Sequence, residues 1–301
     1  MDNITLLRKK DNFMKKSKKS KNKIPIIIIS ALSALVVAEL IHSNLFFKTT
    51  EYNIKSDSIG SNLKIVLISD LHNKEYGQDN EELVNAIKKQ SPDFIAVCGD
   101  MVTRSFINDD IMKNVLTKLS QVAPVYCCLG NHERAISDKL DLNADIASCG
   151  AVLLDNKSTF FTTKSGEKIL IGGLTDYPYY EFNAPDYDTQ DRYFWESFKE
   201  ESQKYYSVLL HHQPEYITDM VADTPVNLVL CGHTHGGLVQ VPFIGGLIVP
   251  NQGIFPQYDK GEFDFNNTTM IISGGLGVSH PIPRFNNPPE ICVINITKGN
   301  S

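Results

Sequence analysis

Two histidines one residue apart, His233 and His235, close the apolar run Asn227-Leu-Val-Leu-Cys-Gly-His-Thr-His-Gly-Gly237. Four earlier runs of the same kind also end in side chains able to bind a cation. Residues 64–72 deliver Asp70 and His72, residues 93–100 deliver Asp100, residues 125–133 deliver Asn131 and His132, and residues 206–214 deliver His211 and His212. A lone His-x-His is a weak signal. Five strand-like runs that each stop at an oxygen or imidazole donor indicate a metal site, because in an open α/β sheet ligands bind beyond the carboxyl ends of the strands. Divalent ions of the Mn, Fe and Zn group accept mixed imidazole and carboxylate surroundings. Two such ions, roughly 3.5–4 Å apart, can hold both the attacking and the leaving oxygen of a displacement at phosphorus. The pair needs one carboxylate to share, several neutral nitrogens and a neutral oxygen. Asp100 could bridge, His72, His212, His233 and His235 could supply imidazoles, and Asn131 could supply an amide oxygen.

The elements that must position these residues follow from periodicity. From Leu63 the chain alternates strand and helix patterns, which predicts an α/β domain with a mostly parallel inner region. Leu83, Val84, Ala86 and Ile87 in residues 81–90, and Ile111, Val115, Leu116 and Leu119 in residues 111–119, recur at helical spacing and read as crossover helices. Residues 151–154, 159–162 and 168–172 read as an antiparallel meander across polar turns. Residues 191–206 read as a further helix, residues 241–265 as Gly-, Pro- and aromatic-rich loops, and residues 270–273 and 291–296 as closing strands. The six cysteines form no CxxC pair or disulfide framework. Five of them lie in or at the ends of apolar strands, as small buried hydrophobes do.

The charge is divided unevenly. Residues 1–23 hold nine Lys/Arg against two Asp, a head of +7, so the rest of a chain with net charge −6 carries −13. That acidic balance argues against a nucleic-acid partner, since phosphate-backbone binding calls for basic patches. The head is followed by an apolar segment, residues 24–47, whose uninterrupted part, 26–38, is shorter than the roughly 20 residues that span a bilayer. Glu39 and His42 interrupt it. A signal anchor, a cleaved signal peptide and a buried core helix all fit this pattern. Positive-inside orientation favours the anchor, with the bulk of the chain outside the cytoplasm. The expected division is a basic cytoplasmic head (1–23), a transmembrane anchor (24–47), a polar tether (48–62) and a catalytic domain (63–301).

Taken in order, Asp70-x-His72, Gly99-Asp100, Gly130-Asn-His-Glu133, His212 and Gly232-His-x-His235 resemble the calcineurin-like metallophosphoesterase family. The tail patterns Ser273-Gly-Gly-Leu-Gly277 and Pro283-Arg-Phe-Asn-Asn-Pro-Pro-Glu290 are similar to its membrane-associated bacterial branch, near the phosphodiesterases and lipid-nucleotide pyrophosphatases. The resemblance implies a four-layer αββα sandwich. It implies Asp70, His72, Asp100 and His235 on one metal, and Asp100, Asn131, His212 and His233 on the other. His132 is then the expected proton donor to the leaving oxygen. Hydrolysis of a phosphodiester or pyrophosphate by a hydroxide bridging the metals is the implied reaction, on a substrate that is membrane-proximal or lipid-linked. A phosphomonoesterase, or a non-catalytic metal-stabilised scaffold, is the alternative.

Other residues have competing roles. Neighbours on a strand point to opposite faces, so only one of His211 and His212 can reach the metals. The family's place, two residues before a proline, selects His212. Arg284 could clamp a phosphate bidentately or serve as a salt-bridge partner, and His280 is a weaker candidate. Asn73 and Thr103 depart from the family's common pattern at positions that supply no metal ligand.

Overall fold

A computed structural model describes residues 23–175, 189–249, 252–279 and 281–299. Residues 1–22 of the basic head and His280 lie outside the described residues. Twelve strands form two six-stranded sheets. The first contains β1 (Lys48–Ser56), β2 (Leu63–Ile68), β3 (Phe94–Cys98), β4 (Val125–Cys128), β5 (Val152–Leu153) and β12 (Glu290–Lys298), in the order β1-β12-β2-β3-β4-β5. The second contains β6 (Lys157–Thr162), β7 (Lys168–Gly173), β8 (Ser207–Leu210), β9 (Leu228–Cys231), β10 (Gly261–Phe265) and β11 (Thr268–Ile272), in the order β10-β11-β9-β8-β7-β6. Strands β2 to β5 run parallel in the first sheet, and β7, β8, β9 and β11 in the second.

Alternation along each strand divides the apolar side chains between layers. In β2, Leu63, Ile65 and Leu67 face the second sheet and meet Ile169, Ile171, Val208, Leu210, Leu228 and Leu230 in a core between the sheets. Val66 and Ile68 face the other way, into a layer with Leu83 and Ile87 of α2 (Glu81–Gln90), Val115 and Leu119 of α3 (Asp110–Ser120) and Ile146 of α4 (Leu142–Ser148). The outer face of the second sheet packs on Trp195 and Phe198 of α5 (Thr189–Ser202) and on Met220 and Val221 of α6 (Thr218–Val221). The result is the αββα sandwich. Strands buried on both faces read as continuous apolar runs, which is why they were legible. All six cysteines are buried, and no disulfide joins the described residues.

Two expectations are corrected. Residues 151–154 do not open a meander: β5 pairs in parallel with β4 in the first sheet, and only β6 and β7 form an antiparallel hairpin, in the second. Leu154 is the reason, since its N–H donates to Cys127 O at 2.8 Å and its side chain is buried between the sheets. Nor is residues 48–62 a tether throughout. Lys48–Ser56 is the strand β1, paired in parallel with all of β12. Its pattern is hard to see because only Ile54 is buried and only Thr50, Tyr52 and Ser56 are half-buried on the inward side.

Before β1 comes α1 (Lys23–Leu45), of which residues Pro25–Leu45 form a 21-residue stretch containing an 18-residue window of mean hydropathy 2.1, with its side chains from Ile26 to Val37 exposed. Among the described residues it is the one helix long and apolar enough to cross a membrane. It does not swing on a free linker, because Lys48 N donates to Pro289 O at 2.9 Å immediately after it.

That bond also fixes which N–H groups of β1 face β12. Alternation puts those of residues 50, 52 and 54 on the same side as Lys48 and that of Glu51 on the open edge. Tyr52→Pro should therefore lose a ladder hydrogen bond, at a cost of about 1–3 kcal/mol. Glu51→Pro, with its N–H already facing solvent, should be tolerated. Thermal unfolding of the two variants side by side would check this; equal melting temperatures would mean that β1 contributes nothing to the sheet.

Candidate metal centre

The carboxyl ends of β2, β3 and β4 in one sheet and of β8 and β9 in the other open onto one place. Asp70 and His72 follow β2, Asp100 follows β3, Asn131 follows β4, His212 follows β8, and His233 and His235 follow β9. Five of these seven have left-handed backbones: Asp70 (φ 51°), His72 (49°), Asp100 (54°), His233 (72°) and His235 (50°). Each such L-residue costs on the order of 1 kcal/mol or more, and strain of this kind gathers at functional sites. Cross-strand bonds hold it: Asp70 N donates to Gly99 O at 2.9 Å and His72 N to Asp100 O at 3.0 Å. Close approach demands glycine at two positions. A Cβ on Gly99 (φ 72°) would lie 2.5 Å from Gly130 N, and one on Gly130 would lie 2.3 Å from Asp100 Oδ1.

The side chains gather in overlapping groups. Asp70, His72 and His235 bring donor atoms within 4.8 Å of one another, as do Asp100, His212 and His233, and also His72, Asp100 and His132. His233 N reaches across from the second sheet to donate to both Asp70 oxygens at 3.1 Å. His233 Nδ1 is 3.1 Å from Asn131 Oδ1, which brings the amide to the Asp100 group. His211 faces away, its Nδ1 3.5 Å from Leu174 O, and belongs to none of these groups.

Main-chain carbonyls set the imidazole tautomers. A carbonyl only accepts, so His72 Nδ1, 3.2 Å from Val102 O, and His212 Nδ1, 2.7 Å from Cys98 O, carry hydrogen there. His72 therefore turns the Nε2 lone pair inward, 4.0 Å from Asp70 Oδ1 and 3.7 Å from Asp100 Oδ2. His212 Nε2 lies 3.2 Å from Asp100 Oδ2. For His132 the relation is reversed: Nδ1 accepts from Arg104 N at 3.1 Å, which places the hydrogen of the neutral ring on Nε2.

Burial drives the His72 imidazole down to about 3, so it stays neutral, and burial with His72 and Arg284 nearby drives His235 well below the usual range. Burial pushes Asp70 up to about 6 against the pull of His212. Burial pushes Asp100 up too, but His212, His72 and His132 outweigh it and hold that carboxyl far below the ordinary range. At neutral pH, then, His72 Nε2 is a buried lone pair facing two carboxylates, with no hydrogen-bond partner. Leaving such an atom unsatisfied costs about 1–3 kcal/mol. A cation resolves the conflict, and a mixed set of imidazole, carboxylate and amide oxygen suits a divalent transition ion.

Three supporting residues carried little or no signal in the sequence. Glu133 Oε2 accepts from Asp100 N (2.8 Å) and Gly130 N (2.9 Å), and Oε1 accepts from Val102 N (3.1 Å), so one buried carboxyl joins the β3 and β4 loops. Burial, then the nearby Asp100, raises it to about 7. Its only hint was a Glu three residues after Gly130, the spacing that reaches back to a helix start. Glu215 Oε1 lies 3.3 Å from His233 Nε2, the nitrogen opposite Asn131. Asn287 Nδ2 donates to His235 O at 2.7 Å. Arg284, which the sequence leaves between phosphate clamp and salt-bridge partner, has its side chain buried, with Nη2 donating to Gly277 O at 2.7 Å and Nη1 to His235 O at 3.3 Å, so it braces the His235 loop.

Comparison with known proteins gives the same reading. The calcineurin-like phosphoesterase model matches residues 63–237, from the start of β2 to two residues past His235. The uncharacterized metallophosphoesterase YkuE of Bacillus subtilis (strain 168) is 30% identical over 260 residues, 84% of this chain and 86% of that protein. The phosphodiesterase YaeI of Escherichia coli (strain K12) is 26% identical over 246 residues, 77% of this chain and 82% of its own. The uncharacterized metallophosphoesterase Cj0846 of Campylobacter jejuni is 30% identical over 284 residues, 89% of this chain and 70% of its own. With the sandwich, the donor groups and the matched span in agreement, this chain belongs to the calcineurin-like phosphoesterase family and is a metal-dependent phosphoester hydrolase.

Proposed function

We propose that the protein is a membrane-anchored hydrolase of phosphodiester or pyrophosphate bonds working with two divalent cations of the Mn, Fe or Zn kind. Asp70, His72, Asp100 and His235 would hold one, and Asp100, Asn131, His212 and His233 the other. The lone pair of His72 Nε2, buried against two carboxylates, carries this reading. When bound, such cations supply Lewis acidity that activates water and offsets charge on the phosphoryl oxygens. The chain's residues then divide the remaining work.

Asp100 is the carboxylate that both cations would share. Its Oδ1 accepts from His132 N at 2.8 Å, while Oδ2 faces Nε2 of His72, His132 and His212 at 3.7, 3.9 and 3.2 Å. Glu133 holds the Asp100 main chain, so the carboxylate cannot drift. His132 presents Nε2–H toward the leaving oxygen, its tautomer set by Arg104 N. In that tautomer it stabilises the departing oxygen as a hydrogen-bond donor. Full proton transfer would leave an imidazolate unless Nδ1 first gained a proton and released Arg104 N. Preference for a diester or pyrophosphate rests on similarity to the phosphodiesterase YaeI and on the tail patterns around Gly277 and Arg284. Anchoring rests on α1, with the basic residues before it on the cytoplasmic side and the acidic domain outside.

Three measurements test this. Asp100→Asn should lower the metal content of the purified protein by one equivalent or more and cut turnover by at least roughly 100-fold, since even residues that only hydrogen-bond a metal ligand are worth about 10–100-fold. Full metal content with unimpaired turnover would remove the shared ligand. His132→Ala should keep its metal and lose roughly 10²–10⁴-fold on a poor leaving group. Across aryl and alkyl phosphodiesters that deficit should shrink as the leaving-group pKa falls; a flat dependence would put His132 on the phosphoryl oxygens. Protease added to intact protoplasts should digest the domain, and complete protection would reverse the orientation.

A further inference from the structure

The C-terminal end of α1 is bonded to the rim of the metal centre on two sides. Asn44 Nδ2 donates to Arg284 O at 2.8 Å while Arg284 N donates to Asn44 Oδ1 at 3.0 Å, and Asn287 N donates to Ser43 Oγ at 3.1 Å. Arg284 and Asn287 are the residues that hold His235 O. On the other side Lys74, two residues after His72, donates to Asn44 O at 2.7 Å. Whatever plane α1 enters, the metal face is held against it.

Next to this junction lies an unusual stretch. Residues 236–258, which begin directly after His235, contain no Asp, Glu, Lys or Arg in a chain that is 21% charged. The described part of this stretch, 236–249 and 252–258, is not a core. Phe243 is fully exposed, and Ile244, Ile248, Ile254 and Phe255 are each more than half exposed. Asn286 ties the stretch to the helix: its N–H donates to Glu39 Oε1 at 3.1 Å and its Nδ2 to Gln240 O at 3.0 Å. Phe243 is three residues beyond Gln240, no more than about 10 Å of chain.

The length of α1 points the same way. The fifteen residues between Lys23 and Glu39 rise only about 22 Å at 1.5 Å each. That falls short of a hydrocarbon layer of about 30 Å. Exposed Ile41, Leu45 and Phe46 at the far end would complete the span only if the domain sits directly on the bilayer. An exposed apolar patch of this kind is then covered by lipid.

We propose that residues 236–249 and 252–258 form an apolar lip seated in the bilayer that α1 enters, so that the metal centre opens onto the headgroup layer and takes its phosphoester from that leaflet. This rests on the reading of α1 as a membrane anchor. The test uses full-length protein in phosphatidylcholine and phosphatidylglycerol vesicles, with a tryptophan introduced at one site and the signal of unsubstituted protein, whose single Trp195 is buried, subtracted. Lipids brominated on their acyl chains should reduce the added emission of Phe243→Trp at least roughly twofold, as for side chains about 5–10 Å below the headgroup boundary. Leu35→Trp in α1 should be quenched as well, and Phe160→Trp on β6 should not. Quenching at position 35 but not at 243 would overturn the lip and leave the anchor standing, whether aqueous iodide reaches 243 or a protein partner shields it. Absence of quenching at 35 would overturn both.

Discussion

The imidazole of His72 is held neutral in the interior with its lone pair aimed at two carboxylates, and the surrounding structure serves to keep that mismatch in place. In water the ring would turn or gain a proton. Here Val102 O fixes its orientation and burial prevents protonation. Proteins accept an arrangement that is unfavourable when empty because binding a cation converts it into a favourable one, and metal binding free energy then adds to folding free energy.

Maintaining it takes both sheets. Asp70, His72, Asp100 and Asn131 come from one, and His212, His233 and His235 from the other, with the bond from His233 N to Asp70 crossing between them. The apolar core between the sheets therefore sets the spacing of the donors, since a shift of one sheet against the other would separate the two groups. Left-handed backbone at five of the seven positions turns each side chain sharply inward at a strand end. Gly99 and Gly130 let the β3 and β4 loops touch, and Glu133 then ties their N–H groups to one carboxyl. Rigid elements and a satisfied second layer of contacts are what hold reacting groups to the precision catalysis needs.

The amino-terminal part joins this framework instead of trailing from it. Strand β1 extends the first sheet, and α1 ends in hydrogen bonds to Arg284, Asn287 and Lys74, beside the loops that carry His235 and His72. A flexible tether would leave the metal face free to turn. This junction gives it one orientation.

The sequence by itself determined the alternation of elements, the two-sided burial of the inner strands and which polar residues stand at the strand ends, because each of these is local. An apolar run cut off by Gly-Asp or Gly-His carries its meaning within a few residues, and the order of such runs carries the family. What only the tertiary structure decided depends on partners far apart in the chain. Leu154 sent β5 into the first sheet through Cys127, 27 positions earlier. Strand β1 was concealed because one edge strand with a single buried residue looks polar until β12, more than 230 residues later, pairs with it. Arg284 stayed open between a phosphate clamp and a salt-bridge partner because an arginine in a Pro- and Asn-rich loop gives no sign of burial. Its role as a brace for His235 depends on two carbonyls that only folding brings within reach. Residue type and spacing name the atoms that can bind a metal, whereas the pairing of distant strands and loops sets where those atoms point.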